Sequence, residues 1–210
     1  PPPPKTVRLP VADGQLMPDG GMKIPILHSG YDEVRLEIDR LVDEHLPMVL
    51  AEVVGGRSLP RVGEEIFDRI VPLDDGGSSI TETSIDLGTI VDRRPGLYRL
   101  QATPPDRRWS GDRTIVLVSD LAMDLQVTRD EILVWVTSVS TGRPVDRAHV
   151  VAWAPNITPI VDVVTDANGI ARLPLDGDAC RVVTATREDD VIFARTKLAR
   201  GLEDQTLAGA

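Results

Sequence analysis

The sequence predicts a mainly β protein, built as two tandem antiparallel β-sandwiches, the first carrying a short helical insert. Three observations predict it. Short runs rich in Val, Ile, Thr and aromatic residues recur along the chain, separated by Gly, Pro, Asp and Asn turn signals. Several of these runs alternate apolar and polar residues, the period of a strand with one buried face. No Gly or Pro lies between Thr114 and Val127, so two such series meet directly near Ser119-Asp120. A length of 210 residues suits one large or two ordinary domains, here divided as 1–119 and 120–210.

In chain order, Pro1 to Pro4 read as an extended polyproline lead-in. Residues 7–11 read as a short edge strand, with turns at Asp13-Gly14 and Asp19-Gly20-Gly21 after it. Residues 22–27 form the next strand, and Pro25, which has no N–H to donate, places it at a sheet edge. Residues 33–38 then alternate, Val34, Leu36 and Ile38 inward, Glu33, Arg35, Glu37 and Asp39 outward, as in a strand with one wet face. Residues 41–54 break the pattern: Leu46, Val49, Leu50 and Val53 recur at helical spacing, Pro47 fits a first turn, and Gly55-Gly56 closes it. Strands at 65–71, 83–87, 97–102 and 114–118 complete the first domain, with a turn at Arg94-Pro95-Gly96. The second domain opens on 121–127, with Met123, Leu125 and Val127 on one face. So short a join predicts a stiff hinge, Leu121 and Ala122 filling the contact, and an elongated, semi-rigid rod.

Residues 132–175 organise the second domain and read as a hairpin-rich module. The β-branched and aromatic run 132–137 ends at Gly142 and Pro144. Residues 145–153 place Ala148, Val150 and Ala152 on one face, and 160–165 follow. Asp166-Ala167-Asn168-Gly169 fits a type I turn in which Asp166 accepts from the turn backbone and Gly169 takes the left-handed conformation. Residues 170–175 return with Ala171, Leu173 and Leu175 alternating, and strands at 182–186 and 191–195 follow before a frayed exit over 198–210. Trp135 and Trp153, on strands adjacent in sequence, could pair across one sheet; a carbohydrate-binding platform also uses exposed tryptophans, but core or interdomain packing is the expected fate of both.

A formal net charge of −10 argues against nucleic acid or an anionic membrane surface as partner. No apolar run approaches the roughly 20 residues of a membrane-spanning helix. The start of the chain lacks an apolar segment behind basic residues, as expected of a mature product or an excised fragment. Chemistry is sparse. His28, His45 and His149 show no metal-ligand spacing and read as partly exposed structural histidines. His28 and Ser29 are strand neighbours on opposite faces and do not make a nucleophile–base pair. Asp74, Asp75, Ser78 and Ser79 offer oxygen ligands but read as a solvated loop. Cys180 reads as a small apolar side chain at the start of a strand. The expectation is therefore no catalytic residue, no metal site and no cofactor.

Val134, Trp135, Val136, Gly142, Pro144, Val145 and Val150, followed by Thr165, Asp166, Gly169 and Ala171, resemble the macroglobulin-type β-sandwich domains of bacterial alpha-2-macroglobulins. The segment 95–102, PGLYRLQA, resembles a late strand of the preceding domain in the same proteins. The resemblance covers about 87–185. It implies an immunoglobulin/fibronectin-like sandwich fold and a non-catalytic scaffold role within a protease-trapping inhibitor. It further implies a periplasmic or extracellular location, with neighbouring domains of the parent, and trapped proteases through the full-length protein, as partners. The family's thioester joins a cysteine to a glutamine shortly after it; Cys180 is followed by Arg181, Val182 and Val183, so that motif is absent here. The alternative reading is an immunoglobulin-like stalk or adhesin binding module of a bacterial cell surface, which the turn motif and the acidic charge fit equally well.

Overall fold

The computed structural model describes residues 5–10, 15–41, 46, 49, 63–74, 79–106, 111–128, 130–175 and 180–196. Its elements are almost all strands, arranged around two hydrophobic cores.

Around the first core, β1 (Thr6–Arg8), β3 (Lys23–Ser29) and β6 (Thr81–Asp86) form a three-stranded sheet in the order β1-β3-β6. Facing it is a five-stranded sheet, β2-β8-β7-β4-β5, made of β2 (Gln15–Leu16), β4 (Glu33–Leu41), β5 (Glu64–Pro72), β7 (Gly96–Thr103) and β8 (Asp112–Val118). Alternation decides what lies between them. Ile24 and Ile26 of β3, Val34, Leu36 and Ile38 of β4, Tyr98 and Leu100 of β7, and Val116 and Val118 of β8 all point inward and are buried. Burying each of these large side chains contributes about 1.5–3 kcal/mol.

Around the second core, β9 (Leu121–Val127), β10 (Glu131–Ser138) and β13 (Ile170–Pro174) pair in the order β13-β10-β9. The opposing sheet is β12-β11-β14-β15, from β11 (His149–Trp153), β12 (Pro159–Val164), β14 (Val182–Arg187) and β15 (Asp190–Arg195). Ile132, Val134, Val136, Val150, Ala152, Leu173, Val183 and Ala185 fill the space between them. Of the expected strand 145–153 only His149–Trp153 is strand, since residues 146–147 form a turn with Arg147 at φ +57°; Ala148, just before it, and Val150 and Ala152 within it are nonetheless fully buried, as are Ala171, Leu173 and Leu175 within a few per cent. The turn at 166–169 also matches. Asn168 and Ile170 donate backbone N–H groups to Asp166 Oδ1 at 2.8 and 2.9 Å, and Gly169 has φ +73°.

Several expectations are corrected. Residues 132–175 are not a chain of hairpins: β10 and β11 lie in different sheets, as do β12 and β13, so the chain crosses the sandwich twice in this stretch. Only β11 and β12 form a hairpin there. Trp135 and Trp153 therefore do not pair. Trp135 is on the outer face, 47% exposed, its Nε1–H donating to the Asn168 carbonyl, and Trp153 donates to Thr184 Oγ1 in the other sheet. Sequence adjacency of strands does not decide which sheet each joins. Pro25 is not on an edge strand, since β3 is central in its sheet. However, β1 covers only Leu27 to Ser29, so Pro25 has no strand beside it on that side among the described residues. A one-turn helix, α1 (Leu87–Ile90), was not anticipated; Asp86 caps it by accepting from the Thr89 N–H at 3.2 Å. Also unanticipated is β2, which runs parallel to β8. Of the predicted helix 41–54, Leu46 and Val49 are described; both are helical and buried. The rest of it lies outside the described residues apart from Leu41, which ends β4.

Candidate functional site at the junction of the two cores

β8 ends at Val118 and β9 begins at Leu121, so Ser119 and Asp120 alone connect the two cores. Residues on either side are held from both halves. Ser119 donates its N–H to the Leu16 carbonyl at 3.0 Å, and Gln15 Nε2 donates to the carbonyls of Ser119 and Leu121 at 3.0 and 2.8 Å. The Leu121 N–H donates to Ser119 Oγ at 3.0 Å. The Asp120 N–H donates to Asp190 Oδ2 at 2.9 Å, and its carbonyl accepts from Val139 at 2.7 Å. With each backbone group of the join committed, little rotational freedom remains.

The Asp120 carboxylate is held in turn by the hydroxyl of Ser138 at 2.6 Å and by the N–H of Ser140 at 2.8 Å. Partial burial pushes its pKa up, but these hydrogen bonds outweigh that and hold it below the usual aspartate value. Asp190 is the reverse case. Loss of solvent around it raises its pKa, the neighbouring Asp120 charge adds to the rise, and Oδ1 is buried with no hydrogen-bond partner. At the rim, Arg94 reaches Asp189 at 3.0 Å; both side chains are more than half exposed, so this ion pair adds little.

The apolar part of the junction comes from a face that the sequence marks as wet. On the outer side of the five-stranded sheet, register places Leu41, Leu97 and Leu117 in one row across β4, β7 and β8. All three are buried, and they join Leu46, Val49 and Leu121 in one continuous cluster with the second core. The adjacent row holds Asp39 and Arg99, 1% and 3% exposed, with Arg99 Nε donating to Asp39 Oδ2 at 2.9 Å and Nη2 donating to the same oxygen. Glu37, expected outward in water like Asp39, is also buried. Alternation gave the correct side of the sheet for these carboxylates; what covers that side is a tertiary matter. Leu121 fills the contact as expected, while Ala122 is only half-buried.

The other singled-out residues do not converge. His28 is fully buried rather than partly exposed, with Nε2 2.9 Å from Thr83 Oγ1. Ser29, beside it on β3, is buried too, and its hydroxyl makes no hydrogen bond to His28. His149 lies 2.5 Å from Asp162 on the surface. Asp74 donates its backbone N–H to Thr83 Oγ1 at 2.8 Å. His45, Asp75 and Ser78 lie outside the described residues. Cys180 is buried just before β14, and burial pushes its thiol pKa up. Among the described residues no group of His, Cys, Asp and Glu is placed to hold a metal ion. What sequence reasoning missed is Gln15, Arg94, Asp189 and Asp190, which take part in contacts spanning some 70 to 106 residues; no local pattern signals such partners.

Residues 118–207 match the family model of the bacterial alpha-2-macroglobulin MG3 domain. The resemblance to bacterial alpha-2-macroglobulins thus rests on the stretch that begins at this join. No curated protein matches the chain. Among solved structures, native alpha-2-macroglobulin from Escherichia coli spanning domains NIE-MG1 is similar at a TM-score of 0.76 and 14% identity, over 92% of this chain and 98% of that one. A longer Escherichia coli fragment, MG0-NIE-MG1, matches at 0.76 and 15% identity, over 92% of this chain and 64% of that one. A Salmonella alpha-2-macroglobulin, mutant Y1175G, matches at 0.72 and 13% identity, over all of this chain but 13% of its own. At such identities the structural likeness is one of fold. No helix among the described residues is long and apolar enough to cross a membrane.

Proposed function

We propose that this chain is a non-catalytic scaffold portion of an alpha-2-macroglobulin-like protease-trapping inhibitor, divided as 1–119 and 120–210, and working in the periplasm or outside the cell. The observation that carries the reading is the junction. A connection of Ser119 and Asp120, with all its backbone groups bonded and Leu41, Leu97 and Leu117 packed into the second core, favours transmission of position over hinge motion. An enzyme that closes on a substrate needs the opposite. Its partners in this reading are neighbouring domains of the parent and, through the full-length protein, a captured protease.

Small-angle scattering on the isolated chain tests the mechanical part: one narrow, elongated shape is expected, and a broad distribution of end-to-end distances would refute it. Trypsin tests the functional part. The isolated chain should neither inhibit trypsin nor form a covalent complex with it, and the parent protein should protect trypsin from a large inhibitor while still allowing it to cut small substrates. Trypsin inhibition by the 210-residue chain alone would overturn the scaffold role.

A further inference from the structure

The leucines at the junction hold the two halves in contact, but apolar contact is non-directional and does not by itself fix an angle. The bonds of Asp120 run to the second half, through Asp190, Val139, Ser138 and Ser140. Ser119 is anchored to the first, its N–H donating to the Leu16 carbonyl. Between these anchors few torsions are left, and Ser119 ψ decides where the Ser119 carbonyl points. Gln15 takes hold of that carbonyl. It lies in β2, laid parallel on the edge of β8. Alternation sends the side chain of Leu16 toward the first core and that of Gln15 to the opposite side, over the join. Both N–H groups of its amide are used, one on the Ser119 carbonyl at 3.0 Å and one on the Leu121 carbonyl at 2.8 Å. Two oxygens bonded to one nitrogen lie at most about 5.8 Å apart, the two bonds end to end. Carbonyls two residues apart on a straight strand are about 6.6–6.8 Å apart. The amide therefore grips a bend, which the Leu121 N–H bond to the Ser119 hydroxyl closes from within. We propose that Gln15 sets the angle between the two halves, its amide pinning the Ser119 carbonyl and tying β2 to the first residue of β9. The assignment rests on the reading of the chain as a scaffold that transmits position, and it names the residue through which the position is set.

The strand that carries Gln15 is itself fastened. Just after β2, the carbonyls of Pro18 and Gly20 accept from Arg93 Nη1 at 2.7 and 3.1 Å. Arg93 keeps a left-handed backbone, φ +54°, and so does Asp92 at +51°, a conformation unfavourable to residues with a Cβ. The same turn presents Arg94, whose guanidinium reaches Asp189 in the second half. β2 and this turn thus form one clasp, β2 closing on the join and the turn on the β14–β15 hairpin. Its two links to the second half are unequal. The Arg94 pair joins two long, exposed side chains and fixes little. The Gln15 amide ends on backbone carbonyls of Ser119 and Leu121, which are 0% and 4% exposed, so it carries the angle.

Residual dipolar couplings on the full chain test this at neutral pH. Gln15→Glu keeps the length and shape of the side chain but removes both donors and sets oxygens against two carbonyl oxygens. Gln126→Glu, at an exposed position toward the far end of β9, adds the same charge and is the control. In wild type, one alignment tensor should fit the couplings of both halves in the arrangement described above. In Gln15→Glu the couplings of each half should still fit that half, but the common fit to that arrangement should be lost. Gln126→Glu should behave as wild type. A single tensor that still fits both halves of Gln15→Glu would overturn the clamp. So would loss of the common fit in Gln126→Glu, which would assign the effect to charge rather than to the donors. Loss of the dispersed amide signals of the first half in Gln15→Glu would overturn it too, making Gln15 a residue that folds its sandwich rather than one that sets an angle. A wild-type chain that needs two tensors would refute the rigid junction together with the clamp, whereas one tensor retained by both variants would refute the clamp and leave the scaffold reading intact.

Discussion

Gly169 is the position where one atom should cost most. Its φ is +73°, and a Cβ built there would lie 2.4 Å from the Val136 carbonyl oxygen, 3.1 Å from Pro144 Cβ and 3.1 Å from the Val145 nitrogen. That carbonyl is not free to retreat, because it accepts the Val145 N–H at 3.0 Å while the Gly169 carbonyl accepts the Val136 N–H at 2.8 Å. Gly142 provides the control. Its φ is +65°, yet nothing lies within 4 Å of its Cβ position. Gly142→Ala should therefore cost only the left-handed backbone, about 1 kcal/mol. Gly169→Ala should cost that plus displacement of a bonded carbonyl, about 3 kcal/mol in all, and Gly169→Val more. At about 2–4 °C per kcal/mol for a chain of this length, Gly169→Ala should lower Tm by about 6–12 °C and Gly142→Ala by about 2–4 °C. Differential scanning calorimetry on both variants decides it. Equal losses would falsify the close-approach argument, and an unchanged Gly169→Val would remove the turn assignment as well.

Three further outcomes are expected. Arg99→Met takes the guanidinium from a buried carboxylate and should cost about 3–5 kcal/mol by urea denaturation; a loss below about 1 kcal/mol, typical of a surface pair, would mean that Asp39 reaches water. Cys180 should resist iodoacetamide in the folded chain at pH 8 and react in urea, because it is 2% exposed and its thiol pKa is raised by desolvation; mass spectrometry reads the adduct. Asp166, whose pKa is lowered mainly by the Ile170 N–H with Asn168 adding to it, contributes stability above the unfolded value of about 3.9 that is lost as pH falls through the folded one. Asp166→Asn should therefore lower Tm at neutral pH and narrow the gap to wild type in strong acid; a gap independent of pH would contradict the role of the charge.

Much of the fold was legible because its causes are local. Period-two alternation placed Val34, Leu36 and Ile38, and later Ala148, Val150 and Ala152, on their buried faces without knowledge of any partner. The Asp166 to Gly169 turn was legible for the same reason: its hydrogen bonds close within four residues. The absence of Gly or Pro between Thr114 and Val127 is likewise local, and β8 and β9 follow each other there with two residues between them. The family resemblance, too, rested on residues around that turn and on β10.

Tertiary structure alone decided the rest. Which sheet β10 and β11 belong to depends on contacts with β9, β13 and β14, so neither a pairing of Trp135 with Trp153 nor the expected burial of Trp135 could be decided locally. Glu37 and Asp39 occupy the outer side of their sheet, as alternation requires, yet they are buried, because that side is covered in the assembled chain. Leu41, Leu97 and Leu117 are spaced across three strands far apart in sequence, and only register brings them into one row that the second core can use. Asp190 meets the Asp120 amide across 70 residues. A strand's own sequence fixes which way its side chains point, through the geometry of the extended backbone; what they meet there is set by elements elsewhere in the chain, through burial and hydrogen bonding that form only on folding.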